Sequence, residues 1–240
     1  MEWRFLNRRA TLFVEKPFNI TEEVLPVYAS EFLKMGLLPS VNKGFGVKIT
    51  PAGLVTEDVL SLDLKRLDDS LKVNFGPDRV DFESNNPSET WQSFHDIVVK
   101  LETILTQTLH HRIVRLALCG SVFYNLNEEE RNTAYSKLAK IDGEQPVEWM
   151  FRKVLRSVIL SADGQISQTV NNVYALTSNA IVAGVKGQQG VTLDMDINTL
   201  QGATAEKIQA VQESFWEHAS KAIDNAVVKY QKIFEDGAEG

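Results

Sequence analysis

The sequence has a single cysteine, Cys119, which excludes an internal disulfide and any metal site built from several cysteines. Its place in the apolar run Val114–Val122 predicts a small, buried core residue. No stretch approaches the roughly 18 consecutive apolar residues of a membrane-spanning helix, and the first residues lack the apolar core of a signal peptide. We therefore expect a cytoplasmic protein that does not associate with membranes.

Positive charge is also scarce. The chain has 25 Lys and Arg residues against 32 Asp and Glu residues, a formal net charge of −7. Binding to the phosphates of a nucleic acid requires a basic surface, so we do not expect a nucleic-acid partner. Small basic clusters occur only near the start and in the middle of the chain. They comprise Arg4, Arg8 and Arg9, then Arg152, Lys153 and Arg156.

The second basic cluster lies in a segment whose spacing predicts a helix, Val147–Leu155. Helical spacing would place Arg152 and Arg156 on one face, beside Trp149 and Phe151. A solvated helix face is the interpretation that we favour. Contact with a small anion or a nucleic acid is the alternative.

Motifs of familiar catalytic chemistry are missing as well. The sequence contains no P-loop, no G-x-S-x-G elbow, no Cys–His pair at useful spacing and no zincin motif. His110 and His111 end a predicted helix, where a cationic histidine interacts favourably with the helix dipole. His95 and His218 have no ligand-like residue four positions further on. We predict no catalytic residue, no metal ligand and no cofactor, and we favour a protein without enzymatic activity.

What the sequence does contain is a strongly patterned C-terminal region. In Val191–Asn198, apolar and polar residues alternate, as in a strand with one buried face. A long helix follows, with apolar residues at steps of three and four that form one stripe. We expect this helix to lie on the sheet with Phe215 buried and Glu217 exposed. The stripe comprises Ile208, Val211, Phe215, Ala219, Ala222, Ala226, Tyr230 and Ile233.

Asp194 and Asp196 lie on one face of the predicted strand, so both carboxylates could bind a metal ion or flank a substrate. The alternation gives the two side chains similar surroundings, whereas acid–base pairs need different ones. We favour a solvated strand face, and we keep a metal-assisted hydrolase as the alternative.

The predicted elements fall into two matching halves, residues 1–109 and 110–240, packed as one structural unit. Each half has the order strand, helix, four-strand meander, helix. The first half has strands Ala10–Glu15, Phe45–Thr50, Val59–Leu67, Leu71–Phe75 and Arg79–Ser84, and helices over Glu22–Gly36 and Asn86–Leu109. The second half has strands Arg112–Tyr124, Val158–Ser161, Thr169–Ser178, Ala180–Val185 and Val191–Asn198, and helices over Asn127–Ala139, Val147–Leu155 and the C-terminal region.

The fold class that follows is α+β. We predict a pseudo-duplication whose halves form a curved antiparallel sheet, related by an approximate two-fold axis, with the long helices on one face. This arrangement resembles the helix-grip and TATA-binding-protein-like architectures, and the likeness concerns the fold alone.

The segment Leu193-Asp194-Met195-Asp196, followed by a long helix with Phe215 and Phe234, resembles the end of a sporadically distributed family of uncharacterised bacterial proteins. The aromatic-led helix Trp91–Leu109 and the long strand after it are similar too. The resemblance covers most of the chain and implies a fold. The family's patchy occurrence suggests an accessory or defence-associated role.

These observations lead to three function hypotheses. The first is a non-enzymatic binding protein with a protein partner or self-association, acting through its sheet surface or sheet edges. The second is a small-ligand-binding protein with a cavity between sheet and helix. The third is the metal-assisted hydrolase that would use Asp194 and Asp196.

Overall fold

The computed structural model describes residues 2–50, 53–139, 146–178 and 190–235. The described strands are β1 Glu2–Val14, β2 Leu38–Thr50, β3 Gly53–Lys65, β4 Leu71–Phe75, β5 Arg79–Ser84, β6 Ile113–Asn125, β7 Met150–Leu160, β8 Ser167–Ser178 and β9 Gly190–Thr199. The helices are α1 Leu25–Leu33, α2 Trp91–Thr103, α3 Glu128–Ala139 and α4 Ala205–Glu235, with a π-helical turn at Ile104–Thr108.

The predicted α+β class is confirmed. Within the described residues the strands form one antiparallel sheet in the order β2-β3-β4-β5-β1-β6-β9-β8-β7. The chain divides into two compact units, one comprising Arg9–Leu116 and the other comprising Met1–Arg8 with Ala117–Gly240.

In the Arg9–Leu116 unit, the predicted strands Leu71–Phe75 and Arg79–Ser84 are confirmed residue for residue. The strands predicted at Phe45–Thr50 and Val59–Leu67 are also present, but their backbones pair over longer stretches, β2 and β3. The apolar core of this unit is formed by buried side chains of β3, β4, β5 and α2. They include Leu62, Leu64, Val73, Val80, Phe82, Phe94, Val98 and Leu101.

Helix α2 begins later than predicted. The sequence predicts a helix over Asn86–Leu109, but the side chain of Asn86 accepts a hydrogen bond from the backbone N–H of Ser88 and forms a turn. The N-cap is Thr90, whose hydroxyl accepts a bond from the N–H of Ser93. A short polar side chain can close either a turn or a helix end, and here Asn86 closes a turn while Thr90 caps the helix.

In the Ala117–Gly240 unit, helix α3 begins at the predicted position with a capping box. The side chain of Asn127 accepts from the N–H of Glu130 (3.0 Å), and the Glu130 carboxylate accepts from the N–H of Asn127 (2.7 Å). The helix then extends to Ala139, as predicted.

The helix predicted over Val147–Leu155 is wrong, because this segment contributes to strand β7. Val147, Phe151, Val154 and Val158 match helical spacing, which is why the pattern is ambiguous. Pairing decides it: β7 forms a continuous antiparallel register with β8, from Met150 opposite Thr177 to Leu160 opposite Ser167. Residues 150–160 therefore alternate between the two faces of the sheet.

The other strands predicted for this half have different outcomes. Thr169–Ser178 and Val191–Asn198 are confirmed as β8 and β9. Val158–Ser161 coincides largely with the end of β7. The predicted strand Ala180–Val185 lies outside the described residues, so the meander has three described strands, not four.

Helix α4 packs along the sheet as predicted. Val191, Leu193, Met195 and Ile197 of β9 are buried, as the alternation requires. The helix buries most of the predicted stripe, although Ala222 and Ile233 are half-exposed while Ile223 and Val227 are buried. The phenol of Tyr124 on β6 donates to the backbone carbonyl of Val227 at 3.1 Å. None of the helices in the described ranges is both long and apolar enough to cross a membrane.

Replacing Phe215 with alanine tests the packing of α4. Its side chain is fully buried, so Phe215→Ala should lower the free energy of unfolding by about 3–5 kcal/mol through lost burial and the remaining cavity. Glu217→Ala, on the exposed face, should cost about 0.5 kcal/mol or less. Urea denaturation of both variants measures the difference. Equal losses would show that a different face of α4 contacts the sheet.

Candidate ligand site between sheet and helix

A cavity of about 500 Å³ lies between strands β7 and β8 and helix α4. All twelve of its lining residues belong to the Ala117–Gly240 unit. Small-molecule sites in proteins commonly measure roughly 300–1,000 Å³, so the cavity is large enough for an organic ligand.

The sheet side of the cavity follows from the strand register. Lys153 on β7 lies opposite Tyr174 on β8, and Leu155 lies opposite Asn172. Since alternate residues of a strand share a face, Ser157 points to the same side as Lys153 and Leu155. These five side chains line the cavity.

The helix side follows from helical spacing. Its residues recur at steps of one, three and four, so they form a band along one side of α4. They are His218, Lys221, Ala222, Asn225, Ala226, Lys229 and Tyr230.

Side-chain size accounts for the space between helix and sheet. Phe215, Ile223 and Phe234, three large buried residues of α4, do not line the cavity, whereas the large buried residue Tyr230 does. Ala222 and Ala226 line it, and their methyl groups cannot reach as far toward the strands. Small residues facing a sheet leave a gap where larger ones would fill the core.

A chain of hydrogen bonds crosses the cavity from helix to sheet. Nε2 of His218 and Oδ1 of Asn172 are 3.1 Å apart. The amide nitrogen of Asn172 donates to the hydroxyl of Ser157 at 2.6 Å. This chain orients the Asn172 amide and fixes the position of the Ser157 hydroxyl.

Burial changes the acidity of three lining groups. It lowers the pKa of His218, so the imidazole is neutral at neutral pH. It raises the pKa of Tyr174, which the nearby Tyr230 raises further, and it also raises the pKa of Tyr230. Both phenols therefore remain protonated and can donate hydrogen bonds.

The second basic cluster is divided between the two faces of β7. Arg152 and Arg156 lie on the face opposite the cavity, whereas Lys153 lines it. The expectation of one helical face that presents both arginines is wrong, because the segment is a strand. Lys153 is therefore the residue of this cluster placed to contact a small anion in the cavity.

Asp194 and Asp196 lie on the side of β9 that faces away from the core residues of this strand. Asp194 is exposed and accepts a hydrogen bond from the Ser121 hydroxyl at 2.5 Å. Asp196 is half-buried and accepts from the Asn198 amide at 3.0 Å, with the Cys119 thiol 3.7 Å away. No group of three or more His, Cys, Asp or Glu side chains placed to hold a metal ion occurs in the described residues.

Cys119 is half-buried, not buried as predicted.

His110 and His111, at the junction of the two predicted halves, lie between the π-helical turn and β6 and make structural contacts. His110 has a positive φ of 56°, and His111 packs against Phe18, with ring centroids 4.4 Å apart. His111 also shares a 2.6 Å hydrogen bond with the phenol of Tyr28. Burial lowers the pKa of His111, so the expectation of a cationic histidine at this helix end is wrong for this residue.

Sequence reasoning singled out Lys153 and His218 but did not connect them. One signal was available: Asn172 is a polar residue in the same row of β8 as Val170 and Leu176, where strand alternation predicts core. Such residues often mark a site. Connecting these residues requires the pairing of β7 with β8, and the sequence predicts a helix where β7 lies.

Comparison with known proteins adds no relative: no family model and no curated protein matches the chain.

The carboxylate pair can be tested by replacing Asp194 and Asp196 with asparagine together. Asparagine retains the side-chain oxygen that accepts the bonds from Ser121 and Asn198, so the melting temperature should change little. The measurement is thermal unfolding with and without Mg²⁺ or Mn²⁺. A divalent ion that stabilises the wild type but not the double variant would instead support the hydrolase hypothesis.

A pH dependence of stability follows from His111. Its pKa is lower in the folded protein than the ordinary value of 6.5, so the unfolded chain binds more protons below that pH. The free energy of unfolding therefore falls as the pH drops below about 6.5. The melting temperature of His111→Gln should fall less between pH 7.5 and pH 5 than that of the wild type. Equal falls would contradict the assignment.

Proposed function

We propose that the chain is a non-enzymatic binding protein that holds a small organic ligand between β7, β8 and α4. The cavity of about 500 Å³ is the observation that carries this proposal. From the sequence alone, a protein-interaction function came first and ligand binding second. The cavity reverses that order.

The lining supports ligand binding through its mixed chemistry. Leu155, Ala222 and Ala226 offer apolar surface to the body of a ligand. Asn172 and Ser157 are fixed by their hydrogen bonds and can orient polar groups of the ligand. Apolar surface with a few positioned polar groups is typical of small-molecule sites.

A protein partner is the second candidate, and strand β7 favours it. This strand is the last in the described sheet on its side. Met150 and Val158 are 67% and 65% exposed there. An exposed apolar edge strand can pair with a strand from another chain, including a second copy. Metal-assisted hydrolysis through Asp194 and Asp196 remains the third hypothesis.

We also infer the internal duplication, and the strand order supports it. In the order of the sheet, the first strand of each half lies beside the last strand of its own meander: β5-β1 in one half and β6-β9 in the other. One helix follows the first strand of each half, and another follows the meander. Strand β2 has no counterpart among the described strands of the second half. The boundary between residues 109 and 110 and the helix-grip or TATA-binding-protein-like assignment belong to this proposal.

Membership of the sporadically distributed bacterial family stays a proposal that the Leu193–Asp196 segment supports. So does a cytoplasmic location, which the single cysteine favours.

Filling the cavity tests the ligand-binding function. The purified protein is incubated with the small-molecule fraction of a cell extract and analysed by native mass spectrometry. Ala222→Phe places a ring in the cavity and should abolish the retained small mass. Val228→Phe, which adds a ring on an exposed part of α4, should retain it.

The same spectra separate the two binding hypotheses. No retained small mass, or equal retention by Ala222→Phe and the wild type, would refute ligand binding in the cavity. A dimer or a bound protein that persists in Ala222→Phe would favour the protein-partner hypothesis. Circular dichroism of Ala222→Phe confirms that the variant is folded.

A further inference from the structure

The charged groups that line the cavity are all cations. Lys153, Lys221 and Lys229 line it, and none of the twelve lining residues is Asp or Glu. The whole chain carries a net charge of −7, so the cavity differs in sign from the average of the protein. The local field therefore favours an anion at this site.

The three lysines approach the cavity from both of its sides. Lys153 comes from the sheet, while Lys221 and Lys229 lie about two helical turns apart on α4. All three residues are exposed. Nζ of Lys229 is 5.7 Å from the ring centroid of Tyr230.

None of these three ammonium groups forms an ion pair with a carboxylate of the described residues. Other lysines of the chain do form such pairs, for example Lys43 with Glu22 at 2.9 Å.

The neutral polar groups of the lining add donors. Ser157 accepts a bond from Asn172, which leaves its hydroxyl hydrogen available for donation. The phenols of Tyr174 and Tyr230 remain protonated and carry one donor each. A ligand with many acceptor oxygens and no hydrogens to donate would match this set.

Charge and size narrow the class of ligand. A carboxylate carries one negative charge, fewer than the three cations present, whereas a phosphate monoester carries close to two near neutral pH. Lysine is a common phosphate-binding residue. The cavity, about 500 Å³, also extends beyond a phosphate group to the apolar surface of Leu155, Ala222 and Ala226.

We propose that the cavity binds an organic phosphate, with its phosphate group among Lys153, Lys221 and Lys229 and its apolar part against Leu155, Ala222 and Ala226. This inference rests on the proposed function, because it specifies the ligand class of the same site.

Isothermal titration calorimetry with phenyl phosphate, benzoate and phenol, at low and constant ionic strength, tests the ligand class. These probes share a ring and differ in charge. Phenyl phosphate should bind at least about tenfold more tightly than benzoate, a difference of about 1.4 kcal/mol, and phenol should bind more weakly still. Equal binding of phenol and phenyl phosphate, or no measurable binding of phenyl phosphate, overturns the inference.

Charge-neutral variants locate the site. Combining Lys153→Gln, Lys221→Gln and Lys229→Gln should weaken phenyl phosphate binding at least about tenfold. The control combines Lys100→Gln, Lys207→Gln and Lys232→Gln, which removes the same charge outside the cavity and should change affinity less than about twofold. Equal losses in the two variants would overturn the inference.

The two proposals can fail separately. If the wild type retains a mass from the extract and Ala222→Phe does not, the cavity binds a ligand whatever the calorimetry gives. Failure of phenyl phosphate alone then refutes only the phosphate class.

Discussion

The packing of α4 against the β-strands of its unit is the interaction on which the rest of this region depends. A strand repeats every two residues and a helix every 3.6, so only certain positions of each can meet. Val191, Leu193, Met195 and Ile197 supply a continuous apolar row on β9, and Phe215 is fully buried on α4. The bond from the Tyr124 phenol to the carbonyl of Val227 further joins β6 to the helix. Because these contacts fix α4 against the strands, the positions of its other side chains are fixed as well.

The cavity is a consequence of that packing. A helix held by large side chains elsewhere along its length leaves a gap where it carries alanine instead. At Ala222 and Ala226 the sheet opposite is formed by β7 and β8, whose cavity-facing residues are partly polar. A core of this composition would be costly to close, because polar groups buried without partners destabilise a protein. An accessible cavity keeps such groups hydrated or bound to a ligand.

Much of this fold was predictable from local sequence. The alternation in β9, the spacing in α4 and the reciprocal bonds of Asn127 and Glu130 each involve residues close together in the chain. Each of these features arises from interactions within one helical turn or one strand, so it can be recognised in the local sequence. The candidate site was different: Asn172 and His218 are 46 residues apart, and their hydrogen bond has no local signature.

Local sequence patterns were sufficient to predict the α+β class, the C-terminal strand and helix, and the burial of Phe215. These features follow from periodicity and capping, which are properties of neighbouring residues. Local pattern does not show that Met150–Leu160 is a strand, because its spacing is ambiguous and pairing with β8 outweighs it. That pairing also sets Lys153 opposite Tyr174 and brings both to α4. The site thus depends on contacts between distant segments, and these exist only once the chain has folded.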